Sequence, residues 1–305
     1  MGSEMCIRDS LYNVIDASKV QKDEPMKKHT TFRIGGPADY FIMPSNEKEL
    51  TAAVRVCREF SIPIYIVGNG SNLLVGDKGF RGAIIQLYKS MGTFQVEGNQ
   101  ITAQAGCSLA QIANAALDAA LTGFEFAAGI PGTLGGAVVM NAGAYGGEMK
   151  DVLTSVRVMT EEGEIMELPA EELGLGYRTS IIPEKRYIVL GAVISLTEGK
   201  KEEIKAQMDD LRQKRVSKQP LEYPSAGSTF KRPEGYFAGK LIQDSGLKGF
   251  TIGGAQVSEK HSGFVINKGN ATAADVMELI RQVTAKVKED TGVTMEPEVK
   301  QIGEF

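Results

Sequence analysis

Three polar side chains stand where neighbouring residues are apolar or turn-forming: Ser228 in Tyr223-Pro-Ser-Ala-Gly-Ser-Thr-Phe-Lys-Arg-Pro233, Arg178 in Gly176-Tyr-Arg-Thr-Ser180 and Glu298 in Met295-Glu-Pro-Glu-Val-Lys300. Ser228 follows a glycine hinge and precedes Lys231 and Arg232. A nucleophilic serine needs an adjacent base, but the chain has two histidines, His29 and His261, and no Gly-x-Ser-x-Gly elbow. The hydroxyl therefore suits a proton donor or a ligand contact better than a nucleophile. Each residue also has a plainer reading. Arg178 could pair with a surface carboxylate, Ser228 could be a turn hydroxyl, and Glu298 could point from an exposed strand. Lys218, ahead of Gln219-Pro220, could be a solvated helix end.

Two glycine loops add a second kind of chemistry. Gly68-Asn-Gly-Ser-Asn-Leu73 follows a short apolar run, and its backbone N–H groups could converge on an anion such as phosphate. An ordinary β-turn is the competing reading, since Asn-Gly is a common hairpin signal. The second loop, Ala128-Gly-Ile-Pro-Gly-Thr-Leu-Gly-Gly-Ala137, continues into Val138-Val-Met-Asn-Ala-Gly-Ala-Tyr-Gly-Gly147 and holds seven glycines in 20 residues. Glycine buries no side chain and loses the most entropy on ordering, so packing alone should not sustain a helix or strand here. A diphosphate or a flat ring against bare backbone would offset that cost. Two such loops suit a dinucleotide, yet neither matches the Rossmann fingerprint or the phosphate loop of nucleotide triphosphatases. A glycine-rich surface loop remains the alternative.

The rest of the chain must position these groups. Its 305 residues, 42% hydrophobic and 24% charged, suit a globular protein of about two domains. A net charge of −4 gives no footprint for a nucleic acid backbone or an acidic membrane surface. Cys6, Cys57 and Cys107 fit neither a disulfide framework nor a zinc site, which points to a reducing cytoplasm. No apolar run reaches membrane-spanning length, and the start, residues 1–10, lacks a signal-peptide core and reads as a non-native segment.

Leu50, Ala53, Val54 and Cys57 recur at helical spacing, predicting an amphipathic helix over 46–60 capped by Ser45. Strands are expected at 62–67 and 82–87, around Gly98-Asn99, in a hairpin turning at 161–163, and at 187–196. Ser108 should cap a helix running to about Leu121. The charged stretch 199–218 is helical in period and marks the domain boundary. Beyond it, helices are expected at 236–244 and 271–290, with strands at 263–267 and 293–302.

Taken together, Thr30-Thr-Phe-Arg-Ile-Gly-Gly36, GNGSN at 68–72, GIPGTLGGAVVMNAGAYG at 129–146, YRTS at 177–180, AGSTFKRP at 226–233 and EPEV at 296–299 resemble the UDP-N-acetylenolpyruvoylglucosamine reductases, flavoenzymes of peptidoglycan precursor synthesis. The resemblance runs from about residue 20 to the C-terminus. It implies an α+β protein: a two-lobed FAD-binding domain of the vanillyl-alcohol-oxidase/PCMH type, at 11–205 with lobes about 20–90 and 91–205, then a smaller α+β substrate domain at 206–305. It further implies NADPH as reductant, noncovalent FAD, and UDP-N-acetylglucosamine enolpyruvate as substrate.

By the same resemblance, Ser228 is the proton donor, while Arg178 and Glu298 stabilise the enolate intermediate. Gly68, Asn69, Gly70, Ser71, Asn72 and Leu73 would contact FAD, as would Gly129, Ile130, Pro131, Gly132, Gly135, Gly136, Asn141, Ala142 and Gly143. Tyr177 and Lys218 would bind substrate, and no metal is expected. Arg232 stands where some family members have asparagine, so its contact does not carry over. The short span between Arg178 and Lys218 matches the shorter subclass. A cytoplasmic monomer that binds neither nucleic acid nor membrane is expected. The other readings are an oxidase of the same flavin fold, favoured by covalent flavin attachment, and a non-catalytic flavin or nucleotide-sugar binding module.

Overall fold

The computed structural model describes residues 2–305, with side chains from Cys6 onward. The described residues form two compact units: residues 2–21, 40–69 and 83–214 make the first, and 22–39, 70–82 and 215–305 the second.

In the first unit, the helix Glu47–Glu59 buries Leu50, Ala53, Val54, Val56 and Cys57. Its cap is Asn46 rather than the expected Ser45: the Asn46 carboxamide accepts from the Glu49 N–H at 2.9 Å, while the Ser45 N–H donates to the Glu49 carboxylate at 2.8 Å. Strand Ile64–Val67 pairs in parallel with Ala83–Gln86. A five-stranded antiparallel sheet runs Ile165–Pro169, Leu153–Met159, Ile188–Ser195, Gln100–Gln104, Phe94–Glu97. Helix Leu109–Asp118, capped by Ser108 with Gln111 answering in a capping box, packs against this sheet. So does a short helix, Leu134–Val139, inside the glycine-rich stretch. That helix corrects the expectation of no regular structure there. Leu134, Ala137 and Val138 are buried, and Gly135 lies so close to Ala105 that a Cβ would come within 2.9 Å of the alanine methyl. The apolar residues between the glycines do the packing, and Gly135 permits the approach.

In the second unit, an antiparallel sheet runs Ser225–Ser228, Phe264–Asn267, Ala255–Val257, Thr251–Ile252. Helices Ala238–Asp244 and Ala273–Thr291 bury Leu241, Ile242, Val276, Leu279, Ile280, Val283 and Val287 into its core. The expected strand over 293–302 is shorter, Lys300–Ile302, and it pairs in parallel with Leu73–Val75.

By their internal contacts the two units interleave along the chain. The last crossing falls at Lys214/Arg215, within the helix Lys201–Lys218. Phe32, Ile34 and Leu74 belong to the second core. The Asp77 carboxylate accepts from the N–H groups of Ala273 and Ala274 at 2.8 and 3.0 Å, filling donors that a helix N-terminus leaves open. Such long-range pairings leave no periodic trace in local sequence. The membrane expectation meets one fact: among the described residues, no helix is long and apolar enough to cross a bilayer.

Burial pushes the Cys57 thiol up to about 12 and the Cys107 thiol to about 11, the latter partly opposed by a backbone hydrogen bond from Gln104. Both are above the ordinary 9.0. Their contribution to stability is therefore complete below pH 9 and is lost as pH rises toward these values. At pH 8, iodoacetamide should label the exposed Cys6 and spare Cys57 and Cys107 until denaturant is added. Native labelling of either buried thiol at the Cys6 rate, read by mass spectrometry, would contradict this packing.

Candidate active site

Within the first unit, the two glycine loops meet. A Cβ on Gly68 would collide with the Thr133 hydroxyl, the Asn69 side-chain amide donates to the Pro131 carbonyl at 2.8 Å, and Gln86 donates to the Gly68 carbonyl at 3.3 Å. Thr133 caps the helix Leu134–Val139 by position, yet its hydroxyl makes no capping bond. The neighbouring Gly136 is exposed, and the nearest atom to a Cβ there would be that same hydroxyl, 3.7 Å away. Gly129 and Pro131 are exposed, whereas Ile130, Gly132 and Gly143 are half-buried and Ala142 is buried. Bare backbone beside an uncommitted hydroxyl suits a diphosphate.

Thr133 is not among the residues that the sequence motifs assign to the cofactor. Its place one residue before Leu-Gly-Gly, where a helix cap belongs, is the signal that could find it.

In the second unit, Gly70 adopts φ +62° against the His29 carbonyl, and Leu73 opens the strand paired with Lys300. The N–H groups of Gly70, Ser71 and Asn72 donate to no protein acceptor among the described residues. Consecutive uncommitted backbone donors of this kind form anion-binding concavities. Taken by itself, each unit thus offers main-chain groups that fit a phosphate.

Ser228 ends the strand Ser225–Ser228 opposite Phe264, after a bulge between Ser225 and Ser228 in which Gly227 takes φ +75°. The extra residue re-aims the strand, the usual effect of a bulge. Thr229, next along, is buried: its N–H donates to the Gly263 carbonyl and its hydroxyl accepts from the Val265 N–H, both at 2.9 Å. The Thr229 carbonyl accepts from the Glu298 N–H at 2.7 Å. The Glu298 carbonyl in turn accepts from the Asn72 side chain at 3.3 Å, and the Asn72 carbonyl from the Lys300 N–H at 3.0 Å. Ser228 and Glu298 thus lie on adjacent backbone, with the Glu298 main chain held from both sides and the residue 9% exposed. Lys218 is exposed at the last position of its helix.

Arg178 belongs to the first unit. It sits in a turn closed by Gly176 and Thr179, with φ +55°, a region costly for a residue with a side chain. Its guanidinium lies 5.5 Å from the ring of Tyr177, which is 56% exposed. Asn141, 1% exposed, donates to the Gly176 carbonyl at 3.1 Å and to the Glu148 carboxylate at 2.7 Å, and accepts from the Lys150 N–H at 2.9 Å.

Comparison with known proteins gives the family. Residues 38–169 match an FAD binding domain, and residues 219–302 match the UDP-N-acetylenolpyruvoylglucosamine reductase C-terminal domain. A UDP-N-acetylenolpyruvoylglucosamine reductase of Caldanaerobacter subterraneus is 56% identical over 97% of this chain and 98% of its own. The chain belongs to the UDP-N-acetylenolpyruvoylglucosamine reductase family. One from Agathobacter rectalis is 57% identical over 93% of this chain and 94% of its own. A crystal structure of the family's Thermus caldophilus member superposes with a TM-score of 0.81 at 38% identity, covering 93% of this chain and 99% of that one. The fold is accordingly α+β with an FAD-binding domain. The glycine loops fall in the first matched segment and Ser228 and Glu298 in the second, while Tyr177, Arg178 and Lys218 lie between the two.

Gly68→Ala should destabilise the protein by about 1–3 kcal/mol, the usual cost of overpacking. Adding Thr133→Ala should restore most of the melting temperature, because the colliding hydroxyl is gone. An unchanged melting temperature in the single variant would show that the loops do not touch as described.

Proposed function

We propose that this chain reduces UDP-N-acetylglucosamine enolpyruvate to UDP-N-acetylmuramate with NADPH, using Ser228, Arg178 and Glu298 as its catalytic groups. The adjacency of Ser228 and the doubly anchored Glu298 within a matched reductase C-terminal domain is the observation that supports these roles best. Gly68–Leu73 and Gly129–Gly136, with the Thr133 hydroxyl added, would hold FAD noncovalently. The chemistry supplied by bound FAD is hydride transfer, from NADPH to the vinyl methylene of the substrate.

Hydride arriving at that terminal carbon pushes the double-bond electrons onto the adjacent carbon and into its carboxylate. Ser228 then gives its proton to that carbon, forming the new C–H bond, and the serine oxygen recovers a proton from water. The fixed charge of Arg178 meets the developing oxyanion, because a preorganised cation in a water-poor site acts where charge appears. An ionised Glu298 would repel the same oxyanion, so its role requires the protonated or strongly hydrogen-bonded form. Lys218 serves the substrate diphosphate as a point charge, and Tyr177 lines the same substrate path. No base is needed to activate Ser228, which is why the lack of a partner histidine is no obstacle. The chain works as a cytoplasmic monomer without nucleic acid or membrane partners.

The purified protein should be yellow, bleach with NADPH and recolour when the enolpyruvyl substrate is added. Recolouring by oxygen but not by this substrate would favour an oxidase of the same fold, and no bleaching at all would favour a binding module. In stopped flow, Ser228→Ala should bleach at close to the normal rate while recolouring slows by about 10²–10⁴-fold, the range for a lost general acid. Equal slowing of both halves would remove Ser228 from the proton step. Glu298→Gln should keep substantial recolouring activity, and complete loss would show that the carboxyl group itself is required.

A further inference from the structure

Asn141 stands among the residues expected to contact FAD, but its side chain is committed elsewhere. A carboxamide has two N–H donors. One goes to the Glu148 carboxylate at 2.7 Å and the other to the Gly176 carbonyl at 3.1 Å, while the carboxamide oxygen accepts from the Lys150 N–H at 2.9 Å. At 1% exposure, none of these bonds competes with bulk water. Glu148 is itself fixed, pairing with Lys150 and accepting the Asp151 N–H in a capping box.

The acceptor on Gly176 opens the turn Gly176–Thr179, which is otherwise closed by a pair of long backbone bonds, 3.2 and 3.3 Å between Gly176 and Thr179. Within it Arg178 holds φ +55°. A side-chain-bearing residue persists in that region only where its surroundings over-determine the backbone. Two anchors supply this: Asn141 on the Gly176 carbonyl, and the Ser180 hydroxyl donating to the Val139 carbonyl at 2.7 Å, just beyond the turn. Both run to the segment Val139–Asn141 that leaves the glycine-loop helix.

We infer that Asn141 is a positioning residue for Arg178: its carboxamide fixes the turn that aims the guanidinium, and does not ligate the flavin. This rests on the role given to Arg178 above. It predicts that a lesion at Asn141 spares cofactor binding and flavin reduction and shows itself only where Arg178 acts, when the oxyanion forms on the substrate.

Two variants test it. Asn141 has φ +43°, so Asn141→Gly removes the side chain at a position whose backbone glycine adopts without strain. Asn141→Asp keeps the shape but loses both donors, to Gly176 and to the Glu148 carboxylate it then faces, and it serves if the glycine variant does not fold. Each holoenzyme is assayed for flavin content, bleaching by NADPH and recolouring by the enolpyruvyl substrate. Flavin content and bleaching should stay within about twofold of the parent. Recolouring should fall by about 10²-fold, the scale of a misplaced catalytic group. In an Arg178→Ala background the same change should slow recolouring no further, since there is no guanidinium left to aim.

Loss of flavin with both half-reactions slowed alike would make Asn141 a cofactor residue and overturn the proposal. An additional full loss in the Arg178→Ala background would show that Asn141 acts by another route, and also overturns it. If Arg178→Ala alone recolours normally, the role of Arg178 fails and the positioning role falls with it. If Arg178→Ala is slow but Asn141→Gly and Asn141→Asp are normal, the positioning role fails alone.

Discussion

A hydrogen-bond path between backbone segments 226 residues apart organises the second unit. The Asn72 side chain and carbonyl bind the segment Glu298–Lys300, the strands that follow pair in parallel from Leu73/Lys300 to Val75/Ile302, and the Glu298 N–H reaches back to Thr229. Each bond contributes only about 0.5–1.5 kcal/mol net, but a buried group left without its partner costs more than that. The path is therefore maintained as a whole. Its consequence is chemical: the segments that carry the uncommitted N–H groups of Gly70, Ser71 and Asn72, and the residues Ser228 and Glu298, are tied together by hydrogen bonds to the main chain.

The first unit solves a different problem. A diphosphate site needs main chain accessible to a ligand, and a chain that exposes main chain cannot also bury side chains there. Alternating duties resolve the conflict: Leu134, Ala137 and Val138 face the core, Gly68 and Gly135 allow close approach, and Gly136 stays open. The same economy appears at Asn141, a buried polar side chain whose every donor is satisfied by protein. Such a group costs little when its network is complete and a great deal when it is broken. Its position between the glycine loop and the Arg178 turn makes it a mechanical link rather than a ligand.

Periodic elements are legible in the amino-acid sequence itself. The helix Glu47–Glu59, the hairpin of Leu153–Met159 and Ile165–Pro169, and the helix Ala273–Thr291 follow from apolar spacing and capping residues, with the cap at Asn46 differing by one position from Ser45. These adjacent residues both carry a side-chain acceptor, and only the hydrogen bond to Glu49 distinguishes them. The glycine-loop helix is not legible, because its three buried apolar side chains, Leu134, Ala137 and Val138, are too few to show a period among the glycines. Thr133 is hidden for a related reason: its significance lies in Gly68, more than sixty positions earlier.

Residue types alone put forward the candidates, a serine without a histidine, an arginine, a glutamate and two stretches of bare backbone, since these are functional groups that sequence displays directly. Motif order over almost the whole chain carried the family. Tertiary structure alone decided which chain segments share a core, that residues 22–39 and 70–82 join the C-terminal unit, that Glu298 is gripped from both sides of its main chain, and that the donors of Asn141 are already spent. The physical reason is common to all four. Hydrogen-bond partners and packing neighbours are fixed by proximity in space, and a residue's type states what it can bond without stating what it will meet.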